Sequence, residues 1–506
     1  MISRDAYSIS LWQDHAMPFE GSKTADPDKL YDVIIIGGGI TGISTAFLLQ
    51  DEGKNCLLLE AENIAYGTSG GTTAHLNTLL DTPYYVIRKN FGKEAAQQVY
   101  ASVTEAIALI KHNISRWGIE CGFSDANAIL FAQNEEQDKE LEHIAEAAAE
   151  AGLEMTPVDT IPVSIPFTKA MKAGEQAKFN PLQYIQGLAR AFETAGGTIR
   201  QQCRVTGVDN NETVTVTTNA GTFKARAVIY ATHIPPGINL LHLRCAPYRS
   251  YAMAFTLEDD NYPDELIYDM HDPYHYYRTQ EVDGQKYLIA GGEDHKTGQD
   301  ENTAQCFLRL ESYVRQHFKV KAIKYQWSSQ YYEPVDGLPY IGRLPGVEDN
   351  IFVAAGYGGN GMVYSSVAAL LLKRILLQQK PKNEALFDPN RIKPVAGFSQ
   401  FISHNADVVK QFMGKLFSGE QLEVLAGIAP GEGKVVEYED QKIALYKDEE
   451  GRLHALKPAC THMKCDVSWN NAEHSWDCPC HGARYGINGQ VLNTPADQGL
   501  EQLDIS

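Results

Sequence analysis

Tyr31 to Gly42 reads YDVIIIGGGITG, an apolar, β-branched run of strand length that ends in a glycine-rich turn. The residues that follow, ISTAFLLQDEG, repeat apolar positions at helical spacing and stop at Gly53. CLLLE then reads as a second strand closing on Glu60. Strand, GxGxxG turn, helix, second strand and terminal acid, in that order, are the start of a Rossmann-type α/β domain that binds a dinucleotide. Each position has a physical task there. Gly37 makes the tight turn, Gly39 lets the backbone approach a pyrophosphate at the helix N-terminus, and Gly42 permits close helix–strand packing. Glu60 is placed to hold ribose hydroxyls.

Further motifs resemble, in family order, those of the D-amino-acid-oxidase-like family, which includes glycine, sarcosine and dimethylglycine oxidising enzymes. AENIAYGTSGGTTAHLNT (61–78) resembles the flavin-contacting loop, CRVTGVD (203–209) the strand whose Val205 backbone reads the adenine, and AVIYATH (227–233) the strand returning to the cofactor. PVDGLPYIG (334–342) and AAGYGGNGM (354–362) resemble the segments that close over the isoalloxazine. The resemblance covers about residues 30 to 385 and implies FAD as the dinucleotide. It carries Ser69, Thr72, His75, Val205, Gly337, Gly361 and Met362 onto cofactor contacts, and Tyr357 onto a wall of the flavin. His75 stands where some dimethylglycine-oxidising relatives link a histidine to FAD. The family also places Tyr and Arg on strands above the flavin, where Arg forks a substrate carboxylate. PYHYYRTQ gives Tyr276 and Arg278 as the catalytic candidates, with YRS at 248–250 as a second match. Without the family, the same stretch is a half-buried tyrosine-rich strand with a solvated Arg.

The second informative stretch is CTHMKC followed by CPCH: Cys460, His462 and Cys465, then Cys478, Cys480 and His481. The arrangement resembles the ligands of a Rieske [2Fe–2S] cluster, in which Cys460 and Cys478 would hold one iron and His462 and His481 the other. The same resemblance puts Cys465 and Cys480 where Rieske proteins of the respiratory type carry a disulfide. A zinc ribbon competes for four Cys and two His, but it calls for CxxC knuckles and the chain has CxHxxC and CPCH. Two positions depart from the respiratory pattern. Met463–Lys464 replaces Leu–Gly, and Ala483 replaces a Ser whose hydroxyl donates to a bridging sulfide, while Tyr485 keeps the matching Tyr.

Length and charge set limits. The 506 residues suit about three domains with ample core. With 44 Lys plus Arg against 64 Asp plus Glu the net charge is −20, which speaks against nucleic acid or an anionic membrane surface as partner. No apolar run reaches the about 18 residues of a membrane span. MISRDAYSISLWQDH lacks an apolar export core and a twin-Arg pair, so a cytoplasmic location is expected. Cys56, Cys121, Cys203, Cys245 and Cys306 are scattered without motif and read as small buried hydrophobes.

The expected organisation is a flavin unit over 1–385, a linker with an amphipathic helix over 386–425, and an all-β Rieske domain over 426–506. Within the first, an FAD domain (30–84, 156–244, 331–385) is interleaved with an α+β substrate domain (85–155, 245–330). Helices are expected over 93–117 and 133–151, and after Asn180, which caps, with Pro181 at the first helical position and Gly196 as the stop.

A flavin accepts two electrons from a substrate and a Rieske cluster accepts one. The expectation is therefore an FAD-dependent dehydrogenase of an amine or amino-acid-like small molecule, passing electrons singly through the cluster to an external one-electron acceptor. The rivals are a ferredoxin-reductase-like protein, a redox-sensing flavo-iron–sulfur protein without catalysis, and a Rieske oxygenase. The first needs a second GxGxxG, absent from 150 to 330. The last needs an iron held by two His and a carboxylate, and no helix-borne set of that kind is found.

Overall fold

The computed structural model describes residues 4–21, 24–210, 213–300, 302–347, 350–391, 428–438 and 441–503. Leu30–Ile36 lies inside an eight-stranded sheet, parallel to Cys56–Leu59 on one side and to Gly221–Tyr230 on the other. Thr198–Arg200 extends the sheet past Cys56–Leu59, and Ile351–Ala355 and Tyr340–Arg343 extend the opposite side. Both faces are covered, so the β-branched run is apolar throughout, with Ile34 and Ile35 fully buried. The helix Ile40–Asp51 packs between Pro181–Thr194 and Gly361–Leu376. A Cβ on Gly42 would stand 1.9 Å from the Gly37 carbonyl oxygen, so only glycine lets this helix start so close to the strand.

The expected helices form at Lys93–Trp117, Glu135–Ala151 and Pro181–Thr194. Asn134 and Asn180 cap the last two by accepting amide hydrogens from their first turns.

A second, nine-stranded sheet contains Ser124–Ala132, Cys245–Leu257, Leu266–Tyr268, Tyr276–Val282, Gln285–Lys296 and Val320–Pro334. It also takes His75–Leu76, Met155–Pro157 and Lys169–Lys178. The division expected at 155/156 falls inside this sheet. Lys169–Lys178 (KAMKAGEQAK) is rich in Lys and Ala, which carry little strand preference of their own, and it is a strand through its pairing with Ser124–Ala132.

The C-terminal unit is antiparallel. Gly433–Tyr438, Gln441–Lys447 and Leu453–Leu456 form one sheet, and Ser468–Asn470, Ser475–Asp477, Arg484–Tyr485 and Val491–Asn493 a second. The linker helix expected within 386–425 lies outside the described residues. Among the described residues no helix is long and apolar enough to cross a membrane.

This unit is seated on the nine-stranded sheet. Glu473 accepts from the Ser328 amide and hydroxyl, and Thr303 donates to Asn470. A Cβ on Gly298 would meet the Pro479 ring at 2.8 Å. The N-terminal segment straps across both: Tyr7 stacks on His474 at 4.0 Å, its amide donates to Glu473, and Leu11 and Trp12 are fully buried.

Candidate active site and cluster centre

A long cleft begins at the glycine turn and ends against the second sheet. Gly37 has φ +112°, and a Cβ there would stand 2.5 Å from the Ala231 carbonyl oxygen. Glu60 accepts from the amides of Gly38 (2.6 Å) and Glu62 (2.8 Å), at the mouth where Arg204 and Val205 also line the cleft. Burial raises its carboxyl above the usual range, and the two amide donors oppose that. Ser69 accepts from the Ile40 amide at 3.1 Å, tying the 61–78 loop to the helix N-terminus. The Gly39 Cβ direction points at Ser69 Oγ, 2.9 Å away. Gly37, Gly39, Glu60, Ser69, Thr72, His75, Val205, Tyr276, Tyr357, Gly361 and Met362 all line the cleft. Gly42 acts from behind, in helix packing.

Two expected residues do not line it. Arg278 is fully buried, and its guanidinium donates to the carbonyls of Thr73 (2.8 Å), Ala74 (2.7 Å) and Phe179 (3.2 Å) and to Gln280. In this structure its donors are taken by these groups of the 61–78 loop and its surroundings, where the expectation had them fork a substrate carboxylate. Gly337 stands in a turn at φ +90°, packed against Thr82. In the second candidate stretch, Ser250 reaches the cleft, while Arg249 is buried and donates to Ser328 at 2.6 Å.

His75 presses Nδ1 against the Tyr268 hydroxyl at 2.6 Å, and its buried Nε2 has no hydrogen-bond partner. Burial, with Arg278 and Lys178 nearby, holds the ring well below its ordinary pKa and therefore neutral. Around it the sheet end of the cleft is built from Tyr268, Tyr274, Tyr276 and Tyr331 with the carboxylates of Asp81 and Asp294. Tyr331 donates to Asp294 Oδ2 at 2.9 Å, while Asp294 Oδ1 has no partner. Desolvation pushes Asp294 up to about 7 and Asp81 to about 6. The one Lys or Arg lining the cleft among the described residues is Arg204, paired with Glu62 at the far end. Sequence reasoning missed Asp81, Asp294, Tyr268, Tyr274 and Tyr331, because they come from separate strands and loops and share no motif.

The cluster ligands converge from two loops, 460–465 and 478–483. Cys465 and Cys480 are joined in a disulfide, as the resemblance implied, and Cys478 Sγ lies within 4.8 Å of both its sulfurs. That pairing leaves Cys460 and Cys478 as the free thiols, within hydrogen-bonding reach of each other, which fits two thiolate ligands and not a zinc ribbon. The His462 and His481 rings stand 5.0 Å apart, and the Nδ1 atoms of both are buried without a partner. Burial lowers both imidazoles below their ordinary pKa, the neutral state an iron ligand needs. Two free thiols and two ring nitrogens left without partners are the donor types that a [2Fe–2S] centre with mixed ligation would take. Tyr485 OH lies 3.1 Å from Cys460 Sγ.

The cleft and the cluster loops share walls. Leu492, Asn493, Thr494, Ala496 and Asp497 of the C-terminal unit line the cleft itself. Gln330, also a lining residue, donates from Nε2 to the Gly482 carbonyl at 2.8 Å, beside His481. The Tyr332 hydroxyl lies 3.3 Å from each of the carbonyls of His481 and Thr494, with its one hydrogen shared between them. Gln330 and Tyr332, which form this contact, are 0 % and 1 % exposed.

Fold and site together define a flavoprotein joined to an iron–sulfur electron carrier. Residues 32–375 match the FAD dependent oxidoreductase family (DAO) and residues 422–504 the Rieske [2Fe-2S] domain; the chain belongs to that oxidoreductase family, fused to a Rieske domain. It is 34 % identical over 483 residues, 94 % of each chain, to the Rieske 2Fe-2S iron-sulfur protein YhfW of Bacillus subtilis. It is 25 % identical to the gamma-glutamylputrescine oxidoreductase of Escherichia coli, over 73 % of this chain and 89 % of that one. Among solved structures, glycine oxidase from Geobacillus kaustophilus superposes with a TM-score of 0.59 at 20 % identity, covering 72 % of this chain and 99 % of that one. L-Proline dehydrogenase from P. horikoshii gives 0.58 at 17 % identity, covering 72 % and 98 %. At such identities these two speak for the fold. FAD and a Rieske cluster are this oxidoreductase's cofactors.

Proposed function

We propose that this protein is a dehydrogenase of an amine or amino-acid-like small molecule that sends electrons singly through its Rieske centre to an external acceptor. The observation that carries the reading is the shared wall: Leu492–Thr494, Ala496 and Asp497 of the Rieske unit line the flavin cleft. FAD supplies the two-electron oxidant and the cluster the one-electron outlet.

Within that class the reading favours a protonated amine over a carboxylate-clamped amino acid. Asp81 and Asp294 offer negative charge at the sheet end of the cleft, and Arg278, the fork expected for a carboxylate, is committed to backbone carbonyls. The four tyrosines supply flat apolar walls and π faces that suit an ammonium group. The cytoplasm is the proposed compartment, supported by the buried thiols of Cys56, Cys121, Cys203, Cys245 and Cys306, none in a disulfide.

The test is anaerobic rapid mixing of the purified enzyme with a panel of amines and amino acids. An amine should bleach the flavin. Cys460→Ser should abolish the cluster's visible bands, keep bleaching intact because Glu60 and the glycine turn lie outside the Rieske unit, and cut turnover with a one-electron acceptor steeply. No bleaching by any compound would favour a sensor, and equal turnover without the cluster would make the Rieske unit structural.

A further inference from the structure

Nine large apolar side chains are exposed among the described residues, and three of them, Ile238 (76 %), Leu240 (43 %) and Leu243 (36 %), stand together on one short segment. The same segment touches the cluster's histidines. The Gly237 carbonyl lies 3.2 Å from His462 Nε2 and accepts its hydrogen. The His242 ring packs edge-on against His462 at 4.5 Å and lies 6.0 Å from His481. Asn239 and His242 close a reciprocal cap over Leu240–Leu243, and His242 is held against the Pro235 carbonyl at 2.9 Å, so the segment is fixed in place. His462 and His481 are themselves only 9 % and 2 % exposed. A molecule approaching this edge of the cluster therefore meets Ile238 and Leu240 before it meets an imidazole.

We propose that the 237–243 segment is the docking surface for the external electron acceptor, and that the acceptor is a small, basic one-electron carrier protein with an apolar face around its own redox centre. The inference rests on the reading that the cluster is the electron outlet. Electron-transfer encounters are among the smallest protein interfaces, under about 1,200 Å², so a patch of three apolar side chains suits one. The chain's charge of −20 attracts a basic carrier to the molecule as a whole and repels an anionic membrane, and the apolar segment beside the cluster then sets where it docks. The step makes and breaks no bond: the carrier's centre gains one electron as the [2Fe–2S] centre loses one.

The test uses the holoenzyme with Ile238→Lys and Leu240→Lys combined, and a basic c-type cytochrome as the carrier. The double variant should weaken equilibrium binding of the cytochrome about tenfold or more and lower its reduction rate at limiting concentration to match. Flavin reduction by substrate, the cluster's EPR spectrum and turnover with ferricyanide, a small ion that needs no docking face, should stay unchanged. Ile238→Val with Leu240→Met should restore the binding. Unchanged cytochrome affinity, or an equal fall with ferricyanide, would overturn the proposal. So would loss of binding to quinone-loaded anionic vesicles with the cytochrome unaffected, which would make the partner a membrane. Failure of the underlying reading looks different: Cys460→Ser would then still reduce cytochrome at the full rate.

Discussion

Arg484 donates from Nη1 to the Asp5 carbonyl at 2.7 Å and lies 3.2 Å from its Oδ2, joining residues 479 positions apart. The pair is one link in a buried row of alternating charge. Arg484 Nε meets Asp477 at 3.1 Å, Asp477 faces Arg249 at 3.6 Å, and Arg249 faces Glu473 at 3.9 Å, with every side chain 5 % exposed or less. N-terminal segment, Rieske unit and nine-stranded sheet each contribute, so the row fixes how the two redox units sit. Burial alone would raise Asp477, and Arg484 and Arg249 more than offset it, leaving its pKa lowered.

Arg484→Ala leaves Asp5 and Asp477 buried without their guanidinium. The expected cost is about 3–5 kcal/mol of docking stability. It should be read as loss of the cluster's visible bands at lower urea concentration than in the parent, with the flavin bands persisting. Because Asp477 is lowered in the folded state, its contribution is present above the ordinary carboxylate range and is lost as pH falls through the lowered value.

Gln330→Leu removes the donor to the Gly482 carbonyl and the acceptor for the Thr297 hydroxyl, which lies 3.1 Å away. Leaving such buried groups unpaired costs about 1–3 kcal/mol. Electron passage from reduced flavin to cluster should slow, while flavin reduction by substrate stays near the parent rate. Stopped-flow absorbance at flavin and cluster wavelengths separates the two phases; equal second phases would remove Gln330 from the route.

Ala483 is fully buried in the cluster loop and its carbonyl accepts from the Cys478 amide at 2.8 Å. Ala483→Ser would add a hydroxyl donor to a bridging sulfide, a bond that strengthens on reduction. A gain of about 1–1.5 kcal/mol corresponds to an upward shift of about 40–65 mV for one electron. Tyr485→Phe removes the hydroxyl beside Cys460 and should lower the midpoint. Protein-film voltammetry reads both, starting from a parent value in the lower or middle part of the range of about −150 to +300 mV.

Affinity for a protonated amine should depend on pH through Asp294 and Asp81. Burial raises them to about 7 and about 6, so the carboxylates are present above these values and neutralise as pH falls through them. The groups acting on Asp294 are Ser250, Tyr331, Asp81 and His275, and Glu333, also raised to about 7, repels it further. For an amine that stays protonated throughout, kcat/KM should fall as pH drops from 8 to 6. Asp294→Asn should lower kcat/KM at pH 8 and remove the inflection near 7.

The glycine turn, Glu60, the capped helices and the Cys–His loops were legible in the sequence because each is governed by local chemistry. A turn with φ +112° at Gly37, a helix start that leaves no room for a Cβ at Gly42, and ligands spaced along short loops leave their mark on consecutive residues. The strand Lys169–Lys178 and the role of Arg278 were not legible, since pairing makes the one and distant carbonyls of Thr73, Ala74 and Phe179 decide the other. An arginine in a tyrosine-rich strand reads the same whether its donors face a ligand or the backbone behind it. The acidic, tyrosine-walled end of the cleft joins Asp81, Tyr268, Tyr274, Tyr276, Asp294 and Tyr331 from separate loops and strands, and the Rieske unit reaches the same cleft with Asn493 and Thr494. Local sequence specified both redox units; the long-range packing of Asp5, Arg249, Asp477 and Arg484 decided that they share a wall, because buried charges are tolerated only where opposite charges from distant segments meet them.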